Sequence, residues 1–292
     1  YFAFVEDRDY GYGLNVDMAT GSVSVSQNWE RWPQVNEPTP LKEKDMPADQ
    51  EVFRVTDAFL TEYAISREAY GKPEVIHNQW RIMYENMPAA ERESFWFPEQ
   101  VTVVYPLMLE GQKVLDESGN PAGLIVSYDI RSRRVNNLYE LTTKQFEKSQ
   151  YTGVTDKDRI LKVATGGGFR NGTYGTVGQN TKVLKLGTPT VQLVKMWYQD
   201  TATASTKYGY APGSEIYVPA LVFPIMDWQK QNYWRSNVMV PLVSDVLNSD
   251  QQFNPQPLPV DPGRGDGNST PPSAGTSSGS TEPAVLVAPK NQ

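Results

Sequence analysis

The sequence predicts an α+β fold in which antiparallel sheets are each covered by one helix, built on a duplicated unit and followed by a disordered C-terminal tail. Runs of period-two alternation flank a polar turn near the start, and one long segment has helical spacing. A six-residue apolar string then occurs twice, and beyond Phe253 the aromatic residues stop. These features divide the chain into a first α+β unit over 1–150, a shorter second unit over 151–253, and a tail over 254–292.

Residues 12–17 alternate loosely, Ala19-Thr20-Gly21 turns, and residues 22–26 alternate strictly, which marks a hairpin. Gly takes positive φ freely and Asp can bond its own backbone, so the turn chemistry fits. A Pro-interrupted crossing occupies 32–47. Over 49–66, Val52, Val55, Phe59 and Tyr63 fall three and four apart and share a face, which predicts a helix that needs a sheet to cover it. Asp49 is placed as its cap, and Gly71 with Pro73 as its stop. Strands are predicted at 75–84, 101–109, 124–130 and 134–141, with Glu117-Ser118-Gly119-Asn120-Pro121 as a dense turn signal. A short helix at 156–164, capped by Thr155 and ended by Gly166-Gly167-Gly168, precedes strands at 181–186, 191–199, 215–225 and 238–243. The tail is rich in Pro, Gly, Ser and Thr. It cannot bury enough apolar surface to offset an ordering cost of roughly 1–2 kcal/mol per residue.

Val103-Val104-Tyr105-Pro106-Leu107-Met108 and Leu221-Val222-Phe223-Pro224-Ile225-Met226 match in residue type at every position. Each follows an aromatic-bearing strand (Trp80 and Tyr84; Trp197 and Tyr198) and, further back, a helix. Pro lacks an amide donor and belongs at a sheet edge or bulge, so two equivalent edges are expected. The competing reading is coincidence between short apolar strings. A second echo places Asp17 six residues before Val23 and Asp129 six before Val135, each around a polar turn.

This strand–Asp–turn–Val–strand hairpin is similar to that of PepSY-type domains. The resemblance implies small extracytoplasmic α+β units, each packing a helix on an antiparallel sheet. It further implies a place in membrane-anchored regulators of sensor kinases or in germination factors. The second hairpin departs from the pattern in lacking the Gly.

Composition narrows the functions. A formal charge of -7 leaves no basic footprint for nucleic acid. The absence of Cys removes disulfides, thiolate nucleophiles and sulfur-based metal sites, and suits an exported bacterial protein. The opening Tyr1-Phe2-Ala3-Phe4-Val5, without a Met, leads to the expectation of a removed signal peptide or N-terminal anchor. His77, the single histidine, lies in strand-like sequence with no Gly-x-Ser-x-Gly elbow nearby, and is read as structural. The glycines at 166–168 follow a helix instead of preceding one, so they are read as a loop and not a phosphate cradle. Arg264-Gly265-Asp266 is read as a chance triplet, and the sequons at Asn171 and Asn268 matter only in a glycosylating host.

The main expectation is an exported, membrane-tethered, non-catalytic binding or regulatory module of the envelope, without cofactor or metal. Its partner would be another envelope protein or domain, or a glycan, met through an exposed sheet edge or an aromatic patch. It would reach the membrane only through an N-terminal segment. Trp29, Trp32, Trp228 and Trp234 are the candidate binding residues, because their neighbours are polar. One alternative is a carbohydrate-active enzyme or glycan-binding domain, with Glu99, Glu110, Asp129 and Glu215 as strand-borne carboxylates. Another is a structural subunit of a surface assembly.

Overall fold

The computed structural model describes residues 2–18, 21–33, 39–76, 79–141, 145–169, 184–198, 214–226, 236–249 and 285–287. Within them the chain is α+β. The first sheet is fully antiparallel and contains β1 (Phe2–Val5), β2 (Tyr12–Asp17), β3 (Ser22–Gln27), β4 (Glu74–Ile76), β5 (Gln100–Pro106), β8 (Gly123–Asp129) and β9 (Arg134–Leu141). Its spatial order is β1-β2-β3-β9-β8-β5-β4. The predicted hairpin is β2–β3, and β8–β9 form the second Asp-marked hairpin, where Asp129 accepts the Ser132 amide at 2.6 Å.

Helix α1 (Asp49–Glu62) lies on β5, β8 and β9. Its apolar face is as the spacing predicts, with Val52 and Phe59 buried, and Thr56 and Leu60 complete it. The buried Thr56 hydroxyl meets the Tyr105 hydroxyl of β5 at 2.8 Å, so the polar atoms on this face are partnered as burial requires. Two details differ from expectation. The N-cap is Ala48, which has no side chain to offer, and Asp49 instead forms an ion pair with Arg81. The stop comes before Gly71: Ala64 adopts φ 51, and the Ile65 and Ala64 amides donate to the Leu60 and Thr61 carbonyls at 2.8 and 3.1 Å. This is a Schellman closure made without glycine.

The strand predicted over 75–84 divides into β4 and a helix, α2 (Gln79–Asn86). Helical spacing lets Trp80 and Tyr84 project together onto Phe97, with ring centroids 5.8 and 4.9 Å away. His77 lies outside the described residues.

The second sheet contains β6 (Met108–Leu109), β7 (Gln112–Leu115), β10 (Glu147–Ser149), β11 (Thr190–Tyr198), β12 (Ser214–Pro224) and β14 (Val285–Val287) in the order β10-β14-β12-β11-β7-β6. Strand β13 (Asn237–Pro241) pairs with β12. The β6–β7 hairpin leaves the first sheet after β5 and turns at Glu110-Gly111, both at positive φ (51 and 77). It then pairs in parallel with β11 through Leu193↔Val114 and Val194↔Leu115. Helix α3 (Lys157–Thr165) and α4 (Ser244–Ser249) both rest on β13, so this sheet carries two helices where one was expected. The cap of α3 is Asp156, not Thr155, and its carboxylate accepts the Asp158 and Arg159 amides. The glycines that end α3 are partly packed. A Cβ at Gly168 would stand 2.9 Å from Val238 Cγ1, and the Phe169 amide bonds the Met239 carbonyl at 2.9 Å. Of the strand predicted at 181–186, residues 181–183 lie outside the described residues and 184–186 contribute only an isolated bridge, Leu186↔Ile225; the tail apart from β14 also lies outside them.

The two Pro-marked strings share a pattern of backbone hydrogen bonds. Gly71-Lys72-Pro73 and Gly187-Thr188-Pro189 precede the first strand of each copy. The Gly71 amide donates to the Pro106 carbonyl at 2.7 Å and the Gly187 amide to Pro224 at 2.8 Å. The methionine amides return the bond, Met108 to Ala69 at 2.9 Å and Met226 to Lys185 at 2.8 Å. The flanking registers match as well: Glu74↔Val104 and Pro106↔Gly123 in one copy, Thr190↔Val222 and Pro224↔Asn237 in the other. Neither Pro-marked strand is an edge. β5 runs between β4 and β8, and β12 between β11 and β13. Each Pro instead ends its strand, where the missing amide costs no ladder bond.

Candidate functional site

Two buried clusters fill the two sheets, one around Val52, Leu60, Tyr105 and Tyr128, the other around Val194, Val218, Val240 and Leu247. A third, smaller cluster joins Leu107, Leu109, Val114 and Ala122 to Leu193 and Tyr217. Beside it opens a cleft of about 730 Å³, lined from the first sheet by Val23, Glu140 and Leu141 and from the second by Lys195 and Tyr217. The segment after α1 forms another wall with Ile65, Ala69 and Tyr70, and Phe146 closes over Tyr217 with ring centroids 5.4 Å apart.

Lys195, Glu140, Glu215 and Tyr217 are bound to one another at the cleft. Lys195 Nζ stands 2.9 Å from Glu140 Oε2 and 3.1 Å from Glu215 Oε2. The Tyr217 hydroxyl donates to Glu215. Burial alone would lower the Lys195 pKa, but the hydrogen bond to Glu140 and the charge of Glu215 reverse this, so it is raised. Burial first, and then Glu215, raises Tyr217 far above the usual phenol range. Burial and Glu140 raise Tyr70. Glu140 itself sits at φ 61, a left-handed conformation that a side chain adopts at a cost. The pair Lys195–Glu140 therefore ties β11 to β9 across the seam of the two sheets.

A second hollow of about 600 Å³ lies at the start of α1, walled by Trp80, Tyr84 and Phe97. Its charges are also engaged: Arg81 pairs with Asp49 and stacks over Trp80 at 5.2 Å, and the Tyr84 hydroxyl donates to Glu43 at 2.7 Å.

Of the four aromatic candidates, the structure describes Trp29 and Trp32. Trp29 is 67% exposed, on the turn after β3. Trp32 is a core residue, contrary to expectation: it is 6% exposed, donates its indole N–H to the Gly11 carbonyl at 2.9 Å, and packs edge-on against Tyr10 and Tyr12. Trp228 and Trp234 lie outside the described residues. Two further exposed rings, Trp96 and Trp197, were not among the binding candidates read from the sequence. Among the carboxylates, Glu99 pairs with Arg131 and Glu110 with Lys148, Asp129 closes its hairpin, and Glu215, which does not line the cleft, contacts Lys195 and Tyr217, which do. Tyr70, Glu140, Lys195 and Tyr217 escaped the sequence reading, since they come from four separate segments with no characteristic spacing.

Among the described residues no group of three His, Cys, Asp or Glu is placed to hold a metal, and no helix is long and apolar enough to cross a membrane. The chain matches no family model and no curated protein. Among solved structures it is similar to the Bacillus megaterium YpeB C-terminal domain, at 7% identity and a TM-score of 0.31, over 77% of this chain and 80% of that one.

Proposed function

We propose that this chain is a non-catalytic binding or regulatory module that works outside the cytoplasm and takes a short segment of a partner protein into the seam cleft. The cleft carries this reading. Its volume of about 730 Å³ falls in the range of ligand sites, and its walls are mostly aromatic and aliphatic with few polar groups. Glu68 and Glu140 line it against a single cation, Lys195, which is itself held by two carboxylates. The preferred occupant is therefore an apolar or aromatic side chain flanked by Lys or Arg. Polar groups committed to one another suit recognition better than reaction. The extracytoplasmic setting is supported by the absence of Cys in 292 residues.

Selection from a random peptide library with the purified chain tests the site. Ala69 is exposed and lines the cleft, so Ala69→Trp obstructs it without touching a core. The expected result is an enriched apolar-plus-basic motif whose binding falls at least tenfold in Ala69→Trp, while Glu140→Gln weakens chiefly the basic peptides. Equal binding by wild type and Ala69→Trp, or no enriched motif, would exclude the cleft as the site. Fractionation of cells producing the full-length protein tests the location and tether: a salt-resistant membrane fraction accessible from outside is expected, and recovery with the cytosol contradicts it.

A further inference from the structure

The second copy of the repeat has a gap that the first does not. In the first copy β8 covers β5 from Gln100↔Asp129 to Pro106↔Gly123, the whole strand. In the second, β13 covers β12 only from Ala220↔Pro241 to Pro224↔Asn237, and the chain then turns into α4. β12 begins at Ser214, so its edge beside Ile216, Tyr217 and Val218 extends beyond β13. These three residues are 8, 0 and 0% exposed. Backbone amides and carbonyls in so buried a stretch require partners.

The strand that fills the gap comes from the C-terminal tail. Val285–Val287 pairs in parallel with β12 through Ile216↔Val285 and Tyr217↔Leu286. On its other side it pairs with β10 through Glu147↔Val285, Lys148↔Leu286 and Ser149↔Val287. Strand β10 is exposed at all three residues and joins the sheet only through β14 among the described strands. The sequence of this segment is unlike the rest of the tail: Ala284-Val285-Leu286-Val287-Ala288 is a five-residue apolar run framed by Pro283 and Pro289. β-branched residues favour a strand, and prolines at both ends limit it to that length.

We propose that the edge of β12 at Ile216–Val218, with β10 as its outer wall, is a strand-acceptor slot, and that its ligand is the apolar segment 284–288 of the same chain. The segment lies at the end of a long connection from Ser249, whose contour reaches on the order of 120 Å at full extension. It therefore behaves as a tethered peptide with an effective concentration of roughly millimolar order. Main-chain bonds to β12 and β10 supply the affinity, in the manner of strand addition to an open edge. The slot shares Tyr217 with the seam cleft, but its assignment rests on strand pairing and not on what the cleft binds.

The chain lacks Cys, so a single engineered pair reports the register in the full-length protein. Glu147→Cys with Val285→Cys, direct partners across β10 and β14, is expected to close a disulfide within the monomer under mild oxidation. Glu147→Cys with Ser280→Cys serves as the off-register control and is expected to close at least tenfold more slowly. Equal rates for both pairs, or cross-linked dimers in place of monomers, would overturn the assignment. A labelled peptide of sequence 282–290 provides the second measurement. It should bind the chain truncated after Thr281 at least a hundredfold more tightly than the intact chain, and Leu286→Pro in the peptide should abolish binding. A peptide that binds neither form, or both equally, counts against the slot.

Discussion

Trp29 and Trp32 stand three positions apart and occupy opposite environments, one 67% and one 6% exposed. Trp32→Ala should cost about 3–5 kcal/mol, through the cavity it leaves and the indole bond it loses, while Trp29→Ala should cost about 1 kcal/mol or less. Urea unfolding of the two variants checks this, and similar losses would contradict the burial. Lys195 is the other decisive single residue, because two carboxylates share it. Lys195→Met leaves Glu140 and Glu215 facing each other without a cation, so a loss of about 2–3 kcal/mol is expected. Replacing Glu215 by Gln in the same protein should restore part of that loss, since it removes one of the two unpaired charges. An unchanged denaturation midpoint in Lys195→Met would show that the ion triad does not hold the seam.

Secondary-structure elements were legible in the sequence where periodicity was long. Helix α1 and hairpin β2–β3 follow from spacing, while β8, β9, β11, β12 and β13 follow from apolar runs bounded by turn or polar segments, β12 and β13 being buried at consecutive residues. Helix α2 did not, because Trp80, Ile82 and Tyr84 also alternate as a strand would; packing of Trp80 and Tyr84 on Phe97 decides for the helix. The end of α1 was misplaced for a physical reason too. Closure by an alanine at φ 51 has no sequence signature. Ala64→Gly should accordingly stabilise the protein by about 1 kcal/mol, as glycine accepts this conformation without strain. The two repeat glycines give a paired test. A Cβ at Gly71 meets the flexible Met108 Sδ at 3.1 Å, whereas one at Gly187 meets the rigid Pro224 ring at 3.0 Å as well as Met226 Sδ at 3.1 Å. Gly187→Ala should therefore cost about 1–3 kcal/mol and Gly71→Ala less, an order that thermal unfolding reads directly.

At the scale of the molecule, the cleft was hidden from sequence because it exists only where two sheets built from distant segments meet. Apolar patterning located each sheet, but nothing in a strand's own residues says which strand of another sheet it will face. The buried tyrosines, spread over the first sheet's core, the second sheet's core and the seam, give the fold a marked sensitivity to alkali. Burial raises the phenols of Tyr12, Tyr105 and Tyr217 well above their ordinary range, and burial with a hydrogen bond to Glu6 brings Tyr63 to about 12. Tyr151 is pushed by burial to about 12. An unfolded tyrosine loses its proton near pH 10, so above that pH the unfolded chain binds fewer protons than the folded one. The stability these groups contribute is fully present below about pH 10 and is lost as pH rises through their folded values. Because several phenols act together, the urea midpoint should be flat between about pH 7 and 9 and fall steeply above about pH 10. Absorbance of phenolate at 295 nm should then rise with the loss of helical and sheet circular dichroism instead of preceding it. Tyr217→Phe removes a phenol that burial and Glu215 raise while keeping its ring against Phe146, and should make the decline shallower. Complete phenolate formation near pH 10 with the far-ultraviolet spectrum unchanged would mean that these hydroxyls are open to water, and would contradict the burial that both cores and the seam give them.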